Sequence, residues 1–337
     1  MNILITGGSG YLGNLLVNKF HENNHQIFNL DILNSDNQKA LNINIDLLNY
    51  QSLQQIFLKY KFDIIIHNAA KVPISQSKKS YYENNVLSTK NLLYLFEKYN
   101  VKKFVYISSS AVYGVPNKVP ITENDIRNPV ENYGLSKKIA EDECMKLIDK
   151  KNITILRPRT ILGEDRMGIF SILFTWISMN SKVPVFNNGK NLYQFIDARD
   201  FIDAAYLSAF SSYSGSLNIG SENFTSMRDL IENLIKRKKS KSIVKNIDSN
   251  YLIKFGKALS KFQIIPLKDY HFAAYGKDIY FDTSLAKKTL KWNSKFSNID
   301  SLENSYDNFI IEKSKNNDSP HKKKINNFIM KNLSYLI

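Results

Sequence analysis

A tyrosine and a lysine, Tyr133 and Lys137, stand four residues apart in a stretch of helical length and spacing. Two side chains at that distance share one face of a helix. The lysine ammonium can then stabilise a tyrosinate against the ordinary phenol pKa of about 10. Such a pair could accept a proton from a substrate hydroxyl. Because a tyrosine and a lysine four apart also occur by chance in any helix, this interpretation depends on the elements around them.

A glycine-rich segment lies between the first apolar run and the first helical stretch, and it reads Thr6-Gly7-Gly8-Ser9-Gly10-Tyr11-Leu12-Gly13. Gly7 permits a tight turn, Gly10 a close approach of the backbone to a pyrophosphate, and Gly13 close packing of the helix on the strand. The helix N-terminus adds a positive potential. Asp31, at the end of the second apolar run, is placed to accept both ribose hydroxyls of NAD and to repel the additional phosphate of NADP. The segment predicts a dinucleotide site with NAD as the cofactor.

Apolar, β-branched runs alternate with helical stretches in the first half of the chain, which is typical of parallel βαβ winding. The predicted strands are 3–6, 26–31, 64–68, 103–108 and 154–157, and the predicted helices are 11–23, 52–59, 84–99 and 133–150. After about residue 160 the alternation breaks down. We expect an α/β fold, namely a Rossmann-type, doubly wound parallel sheet with a smaller, interleaved C-terminal substrate lobe. The expected domains are 1–160 for NAD, with a late strand near 216–220, 161–310 mainly for substrate, and 311–337 as a basic amphipathic tail.

The composition argues against several classes of protein. The 337 residues are 43% hydrophobic and 23% charged, and the longest apolar run, 169–179, is too short to span a bilayer. The chain starts Met1-Asn2-Ile3-Leu4-Ile5, without a basic leader, so secretion is not expected. Cys144 is the only cysteine and the histidines show no ligand spacing, so we expect a reducing compartment and no metal. No nucleic-acid recognition module is visible despite the net charge of +15.

These motifs, with others, resemble the extended short-chain dehydrogenase/reductase family, in particular its NAD-dependent sugar epimerase/dehydratase branch, from Met1 to about Tyr306. Asp46-Leu47 resembles the adenine contact, His67-Asn68-Ala69-Ala70 the segment beneath the nicotinamide ribose, and Asn85 the helix asparagine common in the family. The segments Ser108-Ser109-Ser110-Ala111-Val112-Tyr113-Gly114 and Tyr133-Gly134-Leu135-Ser136-Lys137 resemble its catalytic strand end and catalytic helix. The cofactor residues implied are Gly7, Gly10, Tyr11, Leu12, Gly13, Asp31, Asp46, Leu47, Asn68, Ala69, Ala70, Asn85, Tyr133, Lys137 and Pro158.

The resemblance implies a catalytic set of Ser109, Tyr133 and Lys137. Tyr133 would take the proton of a substrate hydroxyl while the carbon gives hydride to the nicotinamide, and Ser109 would bond the same oxygen. Lys137 would also reach the nicotinamide ribose. Dehydratases of the family usually carry an acidic pair beside the serine or threonine, where this chain has Ser110 and Ala111, so dehydration is disfavoured. Epimerisation needs only hydride removal, rotation of the keto sugar, and hydride return to its other face.

The predicted substrate side departs from the family pattern. The family's Arg-Pro-x-Asn segment reads Arg157-Pro158-Arg159-Thr160, with Thr160 in place of the asparagine. Two arginines that grip a nucleotide diphosphate correspond to Tyr193 and Tyr275, and tyrosine cannot replace their charge-assisted bonds. Other cations could compensate. The candidates for the substrate site are Ser110, Arg159, Thr160, Arg166, Tyr193, Tyr275 and Lys277.

Most of the net charge lies in two segments. Residues 236–261 have nine basic and one acidic residue, a net +8, and residues 311–337 have six lysines and two acidic residues, a net +4. Apolar side chains at helical spacing accompany the lysines in residues 251–262 and 322–337, which is typical of basic amphipathic helices at an anionic membrane surface. The alternative is that both helices dock on their own domain. We expect a cytoplasmic protein, and the first interpretation adds peripheral attachment to the inner face of the cell membrane.

The sequence therefore predicts an NAD-dependent epimerase, acting at C4 of an activated sugar that is linked to a nucleotide or to a polyprenyl diphosphate. Some epimerases of the family act on lipid-linked sugars, and residues 163–176 and 191–195 resemble theirs. One alternative is a net NAD-dependent oxidoreductase of the 3β-hydroxysteroid or sugar-alcohol type. The others are a nucleotide-sugar dehydratase, which is disfavoured, and a catalytically silent NAD-binding scaffold at the membrane. The sequence leaves a homodimer open and indicates no nucleic-acid partner.

Overall fold

The computed structural model describes residues 1–72, 78–164, 170–247, 274 and 276–314. Its strands are β1 Asn2–Thr6, β2 Gln26–Asp31, β3 Leu41–Asn44, β4 Ile64–His67, β5 Lys103–Ile107, β6 Ile153–Pro158, β7 Thr160–Leu162, β8 Lys182–Phe186, β9 Phe195–Asp197, β10 Gly215–Ile219 and β11 Ile243–Ile247. Its α-helices are α1 Tyr11–Glu22, α2 Tyr50–Lys59, α3 Lys78–Tyr81, α4 Ser88–Lys98, α5 Asn132–Met145, α6 Phe170–Ser178, α7 Ala198–Phe210, α8 Met227–Arg237, α9 Ser284–Leu290 and α10 Asn298–Ser314. A π-helical segment, Tyr82–Leu87, leads into α4, and 3₁₀ turns cover Ser110–Tyr113 and Asn187–Gly189.

Seven parallel strands form the central sheet in the order β10-β6-β5-β4-β1-β2-β3. The chain winds outward from β1 in one direction through β2 and β3, and in the other from β4 onward. This reversal between β1 and β4 opens a crevice at the carboxyl ends of the strands, which is where doubly wound sheets bind ligands. The Rossmann-type α/β fold predicted from the sequence is confirmed.

The central strands are apolar on both faces because helices cover both sides of the sheet. In β4, Ile64 and Ile66 pack in the cluster that contains α1 and α7, whereas Ile65 packs on the other face with α2, α4 and α5. All three isoleucines are buried. This two-sided burial explains why the predicted strands are continuous apolar runs, and it fixes the strand ends that carry the site.

Several elements differ from the prediction. The helix predicted over 133–150 ends at Met145 and is followed by turns. Strand β3 was not predicted because Leu41–Asn44 is a short edge strand, half polar and mostly exposed. After residue 160 parallel winding in fact continues, since β7 pairs with β9 and β8 with β11. These strands have three to five residues, too few for a periodic pattern. The domain boundaries at residues 160 and 310 stay predictions. The homodimer also stays a prediction.

No helix within the described ranges is long and apolar enough to cross a membrane.

Candidate active site

The glycine loop joins β1 to α1 at the carboxyl edge of the sheet. Gly7 has a φ of +71°, and a Cβ atom there would lie 2.8 Å from Cα of Ala69. A Cβ on Gly13 would overlap the carbonyl oxygen of Gly7, whereas one on Gly10 would make only an ordinary contact, at 3.5 Å. The protein's own packing therefore requires Gly7 and Gly13, while the space at Gly10 suits a close ligand. α1 also begins at Tyr11 without a side-chain cap or an acidic first turn, which leaves its N–H groups suited to a phosphate.

The end of β2 holds the loop from the other side. The Asp31 carboxylate accepts hydrogen bonds from the backbone N–H groups of Ser9 and Leu33, both at 3.0 Å. Two positions earlier, the buried Asn29 Oδ1 accepts from the Gly8 N–H at 2.8 Å. Sequence reasoning missed Asn29, and the signal was a polar residue inside a buried apolar run. The carboxylate and the loop thus have the fixed relation that an adenosine ribose and a pyrophosphate require.

A buried histidine orders the segment after β4. The Ala69 N–H donates to Thr6 Oγ1 at 3.1 Å, and the same oxygen lies 2.8 Å from Nδ1 of His67. On the other side, the Thr89 hydroxyl donates to the carbonyl oxygen of Asn85, so it accepts from Nε2 of His67 at 2.9 Å. Burial lowers the pKa of His67 to about 3, so the ring is neutral with its proton on Nε2, and Nδ1 accepts from the Thr6 hydroxyl. This chain of hydrogen bonds connects two of the predicted cofactor residues, Ala69 and Asn85.

The remaining predicted cofactor residues surround this chain. Asn68 Nδ2 donates to the carbonyl oxygen of Gly7 at 3.2 Å, and Ala70 is half-buried beside it. Leu47 is buried, Asp46 is exposed, and Pro158 is buried at the end of β6.

The predicted catalytic residues converge where β5 ends and α5 begins. Lys137 is buried, and its Nζ donates to the carbonyl oxygen of Ile107 at 2.7 Å, two residues before Ser109. A Cβ on Gly134 would lie 2.5 Å from the carbonyl oxygen of Ala111, so the first turn of α5 packs directly on the turn that follows Ser109. Tyr133 is half-buried in that first turn. The structure therefore places all three predicted residues at one junction.

Asn85 secures the same helix from the π-helical segment. Its Nδ2 donates to Ser136 Oγ at 2.9 Å, and its Oδ1 accepts from the Lys71 N–H at 2.8 Å. Ser136 Oγ donates in turn to the carbonyl oxygen of Tyr133 at 2.7 Å. The asparagine thus fixes the catalytic helix to the segment that follows β4.

Comparison with known proteins gives a consistent result. The model of the NAD dependent epimerase/dehydratase family matches residues 3–220. The chain belongs to this family. It is 33% identical over 247 residues to a putative UDP-glucose 4-epimerase of Methanocaldococcus jannaschii, covering 68% of this chain and 80% of that protein. It is 32% identical over 307 residues to the uncharacterized protein y4nG of Sinorhizobium fredii, covering 90% of this chain and 77% of that protein.

Solved structures show the same fold. A UDP-glucose 4-epimerase of Thermotoga maritima with UDP-glucose superimposes with a TM-score of 0.75 at 23% identity, covering 92% of this chain and 99% of that one. A UDP-glucuronic acid 4-epimerase of Bacillus cereus in complex with NAD gives a TM-score of 0.73 at 22% identity, with 92% and 99% covered. The protein is thus an NAD-dependent enzyme of the extended short-chain dehydrogenase/reductase type, and the predicted family and cofactor are confirmed.

On the substrate side of this epimerase/dehydratase fold, the structure brings Arg159 and Tyr193 together. Arg159 is 2% exposed, and its guanidinium lies 5.1 Å from the ring centre of Tyr193 and 5.5 Å from that of Phe281. Its Nε donates to the carbonyl oxygen of Gln194 at 3.2 Å, but its Nη2 has no partner among the described residues. A buried charged donor without a partner is costly, so this side chain calls for a functional explanation.

The other predicted substrate residues within the described ranges lie on separate elements. Thr160 begins β7 opposite Phe195, Ser110 is half-buried in the turn after β5, and Lys277 is exposed. Arg166 and Tyr275 lie outside the described residues.

Proposed function

We propose that this enzyme interconverts the C4 epimers of an activated sugar through a transient keto form of that sugar. Bound NAD would supply a hydride acceptor for the sugar carbon and then a hydride donor to the other face of the keto sugar. The observation that carries the proposal is the junction of β5 and α5, where Ser109, Tyr133 and Lys137 meet beside Ser110 and Ala111, with no acidic pair at those two positions. A dehydratase would need an additional acid and base there. The names of the 4-epimerase relatives support the choice of C4.

The proposed proton transfers use groups already oriented. Ser109 Oγ accepts from the Ala111 N–H at 3.2 Å, so its own hydrogen can be donated to the substrate oxygen. Lys137 is held with its ammonium against the carbonyl of Ile107 and 4.8 Å from the ring centre of Tyr106, and it supplies the positive charge that favours a tyrosinate at Tyr133. Tyr133 then takes the hydroxyl proton during oxidation and gives it back during reduction. One residue serving both directions is what an epimerisation requires.

For the substrate we propose a sugar diphosphate whose carrier is a nucleotide or a polyprenyl lipid. Arg159 supplies the cation, since its unpaired Nη2 is suited to an anionic oxygen and Tyr193 packs on its guanidinium. The further proposed contacts are Ser110, Thr160, Arg166, Tyr193, Tyr275 and Lys277. Nη2 is covered in the described structure, so binding would have to expose it.

The experiment assays the purified protein with matched nucleotide-linked and polyprenyl-diphosphate-linked N-acetylhexosamines, scoring the C4 epimer without added NAD. An epimerase recycles its cofactor, so product is expected without NAD, and the carrier that gives turnover identifies the substrate class. Stoichiometric NADH with no epimer would indicate the net oxidoreductase instead. No reaction with either carrier in the presence of NAD would contradict the proposal.

A lipid carrier would favour attachment to the membrane, and we propose that residues 251–262 and 322–337 provide it. Both segments lie outside the described residues. Residues 236–247, the described part of the basic segment 236–261, offer less free charge than their sequence indicates. Two of their cations form ion pairs with α10, namely Arg237 with Asp300 and Glu303, and Lys238 with Glu303 and Asp307. The test is flotation with anionic liposomes at low and high salt, comparing the full chain with a chain that lacks residues 315–337. Equal absence of binding by both would contradict the attachment.

A further inference from the structure

A buried carboxylate lies one helical turn beyond Lys137, at Glu141, and it is fully enclosed. Its Oε2 accepts from Nη2 of Arg157 at 2.8 Å and from Nη1 of Arg127 at 3.0 Å. Its Oε1 accepts from Nε of Arg157 at 3.0 Å and from the Ser108 hydroxyl at 2.5 Å. One side chain therefore meets donors from three other parts of the chain.

These donors stand directly beside predicted site residues. Ser108 precedes Ser109 at the end of β5, and Arg157 precedes Pro158 in β6. Glu141 itself lies four residues after Lys137, so the two side chains share one face of α5. A single carboxylate thus connects the serine strand, the tyrosine and lysine helix, and the strand that carries Pro158.

The cluster also continues toward the segment that precedes α5. Arg157 Nη1 donates to the Tyr113 hydroxyl at 2.7 Å and to the carbonyl oxygen of Glu123 at 3.0 Å. The Tyr113 hydroxyl donates to Asn218 Oδ1 at 2.8 Å. Every polar group of the Arg157 side chain is therefore occupied, which leaves it little freedom to move.

Stability alone is a weak reason for this arrangement. Burying an ion pair costs desolvation that its attraction only partly offsets, and well-packed apolar residues of similar volume often serve as well. What an apolar pair cannot supply is direction, because hydrogen bonds fix distance and angle whereas apolar contacts do not.

We infer that Glu141 is a positioning residue, which sets the separation of Ser109 from Tyr133 and Lys137 without touching substrate or cofactor. The inference rests on the proposed function, because it assigns those three residues to the chemistry. Misplacement by about 1 Å can cost a large factor in rate. Loss of the Glu141 contacts should therefore lower kcat more than it changes KM or NAD retention.

Two variants and one control separate positioning from stability. Ser108→Ala removes only the link between the carboxylate and the serine strand. The double variant Glu141→Leu with Arg157→Met replaces the ion pair by apolar side chains, while Arg127 keeps its second partner, Asp142, at 2.8 Å. The control is Thr154→Val, which removes one acceptor of the buried Lys103 at the opposite end of β6.

We expect kcat to fall about 10-fold in Ser108→Ala and about 10- to 100-fold in the double variant, up to the cost of a misplacement of about 1 Å. KM and retained NAD should change less than about threefold, and the double variant should keep a Tm near that of the unmodified protein. Thr154→Val should lower Tm with kcat unchanged. A double variant that recovers both Tm and kcat would overturn the inference, and so would an unchanged kcat in Ser108→Ala.

A measurement without substrate keeps this outcome distinct from failure of the proposed function. The phenol of Tyr133 can be titrated by ultraviolet difference spectra, with Tyr133→Phe as the blank. Loosening Lys137 from Ser109 and Tyr133 should move this titration to higher pH in the double variant and leave it unchanged in Thr154→Val. If the Tyr133 titration does not shift in the double variant, the positioning role is contradicted even when no epimerisation is observed. If the titration shifts as expected but the unmodified protein does not epimerise the sugar, only the proposed reaction is contradicted.

Discussion

A buried cation lies at each end of the strand pair β5 and β6, and the groups that surround the cation differ between the two ends. At the amino edge, Lys103 Nζ donates to four neutral oxygens, those of the Asn152 and Thr154 side chains at 2.5 and 2.7 Å and the carbonyls of Tyr213 and Ser211 at 2.8 and 3.0 Å. At the carboxyl edge, the Arg157 cation meets the carboxylate of Glu141. Neutral oxygens therefore surround the Lys103 ammonium, whereas a full negative charge pairs with the Arg157 guanidinium.

The protonation of the two cations shows what this difference means. Burial lowers the pKa of Lys103 to about 7, because no carboxylate compensates for the lost hydration. Burial disfavours the charged form of Arg157 too, but the Glu141 carboxylate and the Tyr113 hydroxyl outweigh it and hold the arginine pKa above its ordinary value. Arg157 therefore stays charged beside its carboxylate partner, at the edge where the reacting groups must be held still. At the amino edge, Lys103 only joins β5 and the start of β6 to the residues that follow α7.

The largest expected effect compares the loss of each cation. Arg157→Met leaves the enclosed Glu141 carboxylate with one arginine, so the free energy of unfolding should fall by about 3–5 kcal/mol. Lys103→Met leaves only neutral oxygens behind, and a loss of about 1–3 kcal/mol is expected. Urea denaturation at pH 7 measures both. Equal losses would mean that the carboxylate does not distinguish the two edges.

A second prediction concerns chemistry at the carboxyl edge. Tyr133→Phe removes the proposed base and should lower kcat by about 100-fold or more, while retained NAD and urea stability stay near normal. Near-normal turnover would show that another group carries the proton. Tyr81→Phe is a matched control, because the ring of Tyr81 lies edge-on to that of Tyr133, with 6.2 Å between the ring centres. The substitution removes only a hydroxyl, as Tyr133→Phe does.

A third prediction concerns Asp31, the carboxylate at the end of β2. Its charge should make the unmodified enzyme prefer NAD over NADP, and Asp31→Ala should weaken NAD by about 10- to 100-fold, the value of a hydrogen bond to a charged group. The ratio of the NADP to the NAD dissociation constant should fall at the same time. Dissociation constants for both cofactors, measured calorimetrically on protein freed of NAD, check this. Comparable constants for NAD and NADP in the unmodified enzyme would contradict it.

The sequence predicts the cofactor half well because its requirements are local. Gly7 is needed for its positive φ and Gly13 for its contact with the carbonyl oxygen of Gly7, and a buried strand such as Ile64–His67 is marked by its own composition. The spacing of Tyr133 and Lys137 also follows from one helix. These features can be recognised before any long-range contact is known.

Other features depend on partners that are distant in sequence. Glu141 stands in the run Glu141-Asp142-Glu143, and only the structure shows that Asp142 and Glu143 pair with partly exposed lysines while Glu141 is enclosed. The unpaired Nη2 of Arg159 could not be predicted for a similar reason, because no local pattern indicates which side chains surround the guanidinium. The predicted substrate residues stay predictions because their chemistry depends on such contacts.

The smallest expected effect is the pH dependence of stability that Lys103 confers on the amino edge. The pKa of Lys103 is about 7 in the folded protein and about 10.4 in an unfolded chain. Between these values the unfolded state binds more protons, so the free energy of unfolding contributed by this group rises with pH, by about 1 kcal/mol from pH 7 to pH 8. Below pH 7 both states are protonated and this gain is absent. Urea denaturation at pH 7, 7.5, 8 and 8.5 should show this rise in the unmodified protein and its loss in Lys103→Met, with kcat at pH 7 unaffected by the substitution. Lower pH values are left out because His67, which is buried and neutral in the folded protein, is protonated below about pH 6.5 in the unfolded chain and adds a rise of its own. The series stops at pH 8.5 because burial raises the pKa values of Cys144 and Tyr106, which lower stability as they ionise in the unfolded chain, near pH 8.5 for cysteine and about pH 10 for tyrosine. A flat profile would mean that the four oxygens suffice to keep the ammonium charged, and the two edges would then differ in geometry but not in protonation.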